Sequence, residues 1–151
     1  MRIRLTNWIN RVERWVLFAI VSMVFAGFTS VIAKHGLAGI SGELGLAVRT
    51  VFVAVFVFGF AAFAVPREQL ASLTRHNFAW LGLSGVTTAV SWVFYYKALK
   101  DGEVSTVALI DKGSFVIAVI LAWVLLGERI TSRVAIGSLL ILAGLLVVSR
   151  R

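Results

Sequence analysis

Long, nearly uninterrupted apolar runs dominate this chain, and they restrict what it can fold into more than any motif it carries. Residues 15–36, 44–65, 78–99, 103–126 and 132–149 are each predominantly hydrophobic, and an α-helix crosses a bilayer with roughly 20 such residues. In hydrocarbon every backbone N–H and C=O must be satisfied internally, so only helices and closed barrels span. Barrel strands alternate apolar and polar residues in segments of roughly ten, and these runs do not alternate. Hydrophobic residues make up 60% of the chain and charged residues 15%, against roughly a half and a quarter in a soluble domain. The one proline, Pro66, falls between runs, where it costs no helix interior a backbone donor. The expectation is an all-α integral membrane protein with five transmembrane helices, short links and no soluble domain.

A short amphipathic helix is expected over residues 1–14, ahead of a transmembrane domain over 15–149. Leu5, Trp8, Ile9, Val12 and Trp15 recur at helical spacing opposite Arg2, Arg4, Arg11 and Arg14, as in a helix lying in the headgroup plane. A positive flank that merely orients the first span fits the same residues equally well. The apolar run from Trp15 is too long for a signal-peptide core, and no small-residue cleavage site precedes Lys34, so the first span is expected to remain.

Cysteine is absent, which removes disulfides, thiolate ligands and a thiol nucleophile. His35 and His76 sit near span ends without acidic companions at ligand spacing, so no metal site is expected. The net charge of +8 is gathered in the links rather than along one face, which favours lipid headgroups over nucleic acid.

Orientation is weakly encoded. With the N-terminus in the cytoplasm, Arg2, Arg4, Arg11, Arg14, Arg67, Arg75, Arg129 and Arg133 face inward, while Lys34, Arg49, Lys97, Lys100, Arg150 and Arg151 face outward. Lys112 stays within the bilayer. Either the N-terminal arginines place that terminus inside, as the positive-inside rule favours, or the chain inserts both ways and pairs with its own inverted copy.

Asp111 and Lys112 lie about eight residues, or roughly 12 Å of helix, into the fourth span. Each charge near the bilayer centre costs about 2.5–3.5 kcal/mol, so each needs a partner or water. Neighbours on a helix point about 100° apart, which disfavours pairing with each other. Lys34, Arg49 and Lys97 are candidate counter-charges for Asp111, and Glu43, Asp101 and Glu128 for Lys112. The two charges fix helix register, line a solute path, or do both.

Ser84, Thr88, Ser91 and Tyr95 form a polar stripe on the third span, flanked by Trp92 and Tyr96. Such a stripe serves as a cavity wall or as interhelical hydrogen bonding. Arg49, Phe52, Phe56, Phe60 and Phe63 share a face of the second span, read as lipid-facing or packed surface. Gly27 with Ser30, Ala118 with Ala122, and Gly137 with Gly144 read as packing positions. No G-x-S-x-G, H-E-x-x-H or P-loop occurs, so an enzyme is not expected.

Four stretches together resemble the EamA-type members of the drug/metabolite transporter superfamily, and their short, single-repeat, five-helix bacterial group. They are Ala33-Lys34-His35-Gly36-Leu37 followed by Arg49-Thr50; Gly85 to Ser91-Trp92 with Tyr95-Tyr96-Lys97-Ala98-Leu99; Val107 to Ile110-Asp111-Lys112-Gly113-Ser114; and Leu126-Gly127-Glu128-Arg129 ahead of Gly137 and Gly144. The resemblance implies a secondary transporter of the bacterial inner membrane that moves a small metabolite or drug-like solute by alternating access. It implies ten helices in two inverted repeats, of which this chain has one. The chain would then pair, as an antiparallel homodimer or with a related membrane chain, and use no cofactor. Lys34, Arg49, Trp92, Tyr96, Asp111, Lys112 and Glu128 occupy motif positions. Ser84, Thr88, Ser91 and Tyr95 join the pathway candidates, with Lys97, Gly137 and Gly144 as structural or gating positions beside Glu128.

Two departures bear on mechanism. Relatives often carry proline just before the Ile-Asp-Lys step, where this chain has Leu109. The first span also lacks the embedded glutamate with which small multidrug exporters couple cation export to protons. Lys34, Arg49 and Lys112 suit an anionic or zwitterionic solute. The competing expectation is a non-transporting subunit that stabilises or regulates another membrane complex through its buried charges.

Overall fold

The computed structural model describes residues 14–149. The amphipathic segment expected over residues 1–14 lies, apart from Arg14, outside the described residues. Within them the chain is helical: α1 Arg14–Gly36, α2 Gly42–Ala64, α3 Arg67–Leu70, α4 Arg75–Asp101, α5 Val104–Asp111, α6 Ser114–Leu126 and α7 Ser132–Ser149. Helices α1, α2, α4 and the stacked pair α5–α6 are each long and apolar enough to cross a membrane. Helix α7 has 18 residues, about 27 Å of axis, a small mismatch that a bilayer meets by local thinning.

The polar links act as caps. Ser41 Oγ accepts the Leu44 N–H (3.2 Å) at the start of α2. Thr74 and Asn77 form a reciprocal capping box at α4, which starts that helix three residues before the expected span. Gly127, with φ +67°, ends α6, and the Glu128 N–H closes back on Ala122 O (3.2 Å), the left-handed stop that favours glycine.

Packing is concentrated where the C-termini of α1 and α4 meet the N-termini of α2 and α5. Leu37, Tyr96 and Leu99 are buried there, with Ala33, Ile40, Val104 and Val107 against them. Gly42 makes the approach possible, since a Cβ on it would lie 2.8 Å from Tyr96 O. Elsewhere the apolar side chains are exposed, Phe63 to 95%. In hydrocarbon that surface costs nothing, because lipid tails are as apolar as side chains.

The fourth span is interrupted although Leu109 replaces the expected proline. The Lys112 N–H bonds to Leu109 O (3.1 Å) and Ala108 O (3.4 Å), the Gly113 N–H to Ile110 O (2.9 Å), and the Phe115 N–H to Lys112 O (3.3 Å). Three-residue closures of this kind tighten the chain into a 3₁₀ turn, a common form of mid-helix hinge. Helix α7 packs beside it: a Cβ on Gly113 would lie 3.1 Å from Leu145 Cδ1.

Candidate functional site

A cavity of about 340 Å³ opens between α1, α2, α4 and the α5–α6 turn. Helix α1 contributes Ala26, Thr29 and Ser30, and α2 contributes Arg49. One face of α4 contributes Ser91, Trp92, Tyr95 and Tyr96, and the turn contributes Asp111, Lys112 and Ser114. The structure thus gathers seven of the ten pathway candidates at one place. The stripe on α4 follows from its spacing, because residues three and four apart share a helix face.

Arg49 sits seven residues into α2, about 10 Å from its start. Its guanidinium carbon lies 4.2 Å from the Trp92 ring centroid and 5.9 Å from that of Tyr96. Nη1 is buried and has no hydrogen-bond partner. A cation over an indole face is attracted by the ring quadrupole, but that attraction leaves the N–H donors unanswered. Beside it the Tyr95 hydroxyl donates to Ser30 Oγ (2.7 Å), joining α4 to α1.

Asp111 and Lys112 correct the expectation that neighbours do not pair. Lys112 Nζ stands 4.0 Å from Asp111 Oδ2, the outer limit of an ion pair. Lys112 caps the helix with φ −64° and ψ −14°, so the backbone stays near helical geometry and the two side chains reach each other only at that limit. Counter-charges from other helices were expected; among the described residues none lies within ion-pair range of either group. Both side chains are partly exposed, at 39% for Asp111 and 60% for Lys112.

The remaining candidates lie elsewhere. Lys34 reaches the end of α4, where Nζ donates to Leu99 O (2.7 Å), Lys100 O (2.9 Å) and Gly102 O (3.0 Å). Lys97 pairs with Glu43 at 3.1 Å across the same end of the bundle. Ser84 and Thr88 line an adjoining cleft of about 440 Å³ that shares Trp92, and Thr88 Oγ1 donates within its own helix to Ser84 O (2.8 Å). Glu128 borders a separate cleft between α6 and α7. Gly137 and Gly144 have open space where a Cβ would stand.

Thr29 lines the cavity without having been singled out in the sequence, Ser114 does so after being named only within a motif stretch, and Ser30 after being read as a packing residue. Hydroxyls in the middle of an apolar run were the available signal. Among the described residues no group of three His, Cys, Asp or Glu side chains is placed to hold a metal ion.

The sequence matches the model of the EamA-like transporter family over residues 13–150. It is 31% identical over 137 residues to a Sinorhizobium sp. protein described as an uncharacterized transporter in the cobO 3′ region; the match covers 91% of this chain and 97% of that protein. No solved structure matches the chain.

Proposed function

This chain belongs to the EamA-like transporter family and is a multi-pass membrane transporter, and from that premise we propose that it moves a small metabolite or drug-like solute by alternating access. The solute site is the cavity bordered by Arg49, Ser91, Trp92, Tyr95, Tyr96, Asp111 and Lys112. The observation that carries this reading is the convergence of three membrane-embedded charges on one cavity at a helix interruption. Charges at such depth are expensive and mark solute or ion paths, and interrupted helices line the sites of many secondary transporters. The 3₁₀ turn at Lys112–Gly113 is the point at which α5 and α6 change their relative angle as the cavity switches sides. Ser84 and Thr88 extend the path along α4. Lys34, Lys97 and Glu128 act in packing and closure, whereas Gly137 and Gly144, expected as packing positions, meet nothing within 4 Å of a Cβ inside the unit.

One five-helix unit completes the path by pairing with a second, as an antiparallel homodimer or with a related chain. The Sinorhizobium protein has a similar span, since 137 residues make up 97% of it. The working location is the bacterial inner membrane, with the N-terminus in the cytoplasm.

The test is flux in proteoliposomes, using a substrate identified by screening labelled solutes on the purified protein. Asp111→Asn and Lys112→Ala should each insert and assemble normally and lower flux at least tenfold, the order expected when one charged hydrogen bond at a site is lost. Unchanged flux in both variants would remove these residues from the path. Protein that moves no solute and co-purifies with a different membrane complex would favour the subunit role.

A further inference from the structure

We propose that the solute is a monoanion and that the Arg49 guanidinium receives its oxyanion group. The proposal rests on the cavity identified above as the solute site and names the chemical class that fits it.

Arg49 differs from the other cations packed inside the bundle. Lys34 satisfies its ammonium on three backbone carbonyls, and Lys100 donates to Leu37 O (3.0 Å). Among the described residues the Arg49 side chain makes neither a hydrogen bond nor an ion pair, and its Nη1 is buried without an acceptor. A donor left unanswered in a medium of low dielectric is costly. Trp92 and Tyr96 hold the guanidinium group by its face, and hydrogen bonds form at its edge. That edge is a planar fork of N–H donors matched to two oxygens of a carboxylate, sulfonate or phosphate group.

Charge balance sets the valence. Arg49 and Lys112 bring two positive charges to the cavity and Asp111 one negative, so each five-helix unit presents one net positive charge in a region where uncompensated charge is expensive, and the balance is counted per unit. A monoanion brings the total to zero. A dianion overshoots by one charge, and a cation raises the total to two. The volume within one unit is about 340 Å³, at the small end of ligand pockets. The hydroxyls of Ser91 and Ser114 on the same wall suit further polar groups on the solute.

The experiment is equilibrium binding to purified protein in nanodiscs, read by thermal stabilisation and titrated to a Kd. Two carbon skeletons are compared at fixed charge states: benzoate, benzenesulfonate, benzamide, benzylammonium and phthalate; then hexanoate, hexanamide, hexylammonium and adipate. On at least one skeleton the monoanion should bind about tenfold or more tightly than its neutral, cationic and dianionic partners, the scale of one charge-assisted hydrogen bond. Benzoate against benzenesulfonate distinguishes a carboxylate site from a general oxyanion site. Arg49→Gln should abolish the preference and Arg49→Lys retain part of it; the panel on the unmodified protein stands even if a variant misfolds. The proposal is overturned if no monoanion binds, if neutral or dianionic partners bind equally well on both skeletons, or if folded Arg49→Gln keeps the preference. Binding without flux would sink the transport reading alone. Flux of a neutral or cationic solute with no monoanion binding would sink this proposal alone.

Discussion

Lys34 and Lys100 exchange roles across one end of the bundle: each ammonium is carried by one helix and hydrogen-bonds carbonyls at the C-terminal end of the other. Lys34 of α1 answers Leu99 O, Lys100 O and Gly102 O, and Lys100 of α4 answers Leu37 O. Helix C-termini leave carbonyls without intrahelical donors and carry the negative end of the helix dipole, so two such ends brought together need cations. The lysines supply them at the place where Leu37 and Leu99 are buried.

Lys34→Met should therefore cost about 2 kcal/mol of folding stability, within the range for hydrogen bonds to a charged group, and Lys100→Met roughly half as much. Reversible unfolding in mixed micelles measures both. Equal losses would mean that the number of carbonyls held does not set the cost.

Gly42→Ala should destabilise the protein by about 1–3 kcal/mol, because the added methyl is forced against backbone. The Cβ would meet Tyr96 O at 2.8 Å and Tyr96 C at 2.9 Å, and neither atom moves without separating α2 from α4. Gly27→Ala is the control. Its Cβ meets nothing within 4 Å, and alanine's better helix propensity should leave stability unchanged or raise it by up to about 1 kcal/mol. A comparable loss at both positions would mean that the α2–α4 approach is looser than the structure has it.

The Tyr95–Ser30 bond is open to a double-mutant cycle. Tyr95→Phe and Ser30→Ala each remove one partner of the 2.7 Å bond; their coupling should be about 0.6 kcal/mol and below about 1.7, the range for side-chain hydrogen bonds between membrane helices. Additive single effects would show that the hydroxyls do not meet.

What was legible in the sequence follows from cost. Asp111, Lys112 and Arg49 stand out in apolar runs because charge there is expensive, and the Ser91–Tyr95 face stands out because helical spacing fixes which side chains share a wall. The structure brings them to one cavity. Lys34 was not legible in the same way: its flexible stem lets the ammonium reach carbonyls 65 to 68 positions away in the chain, and no periodicity encodes that. The Asp111–Lys112 contact was hidden for another reason. Adjacent helical side chains point apart, and these two meet only at 4.0 Å through their own flexibility, which no spacing rule encodes; the 3₁₀ closures at Lys112 and Gly113 were hidden as well, because no proline announces them.

Topology is the property on which structure and charge pattern bear together. Counted along the sequence, eight basic residues face the cytoplasm and six the far side when the N-terminus is inside. Three of those six do not meet headgroups: Arg49 is stacked on Trp92, and the Lys34 and Lys100 ammoniums are bound to backbone carbonyls. The far side then keeps Lys97, Arg150 and Arg151, and the bias becomes eight to three for a cytoplasmic N-terminus. Reporter fusions at both termini should therefore find most copies with the N-terminus inside. Replacing Arg2, Arg4, Arg11 and Arg14 with glutamine leaves four basic residues inside against three outside, and the two orientations should then be populated within about threefold of each other, a difference of less than 1 kcal/mol. An unmodified chain that already divides equally would mean that Arg49, Lys34 and Lys100 act as topological charges during insertion, before the helices pack. A substituted chain that keeps one orientation would place the signal outside the basic residues altogether.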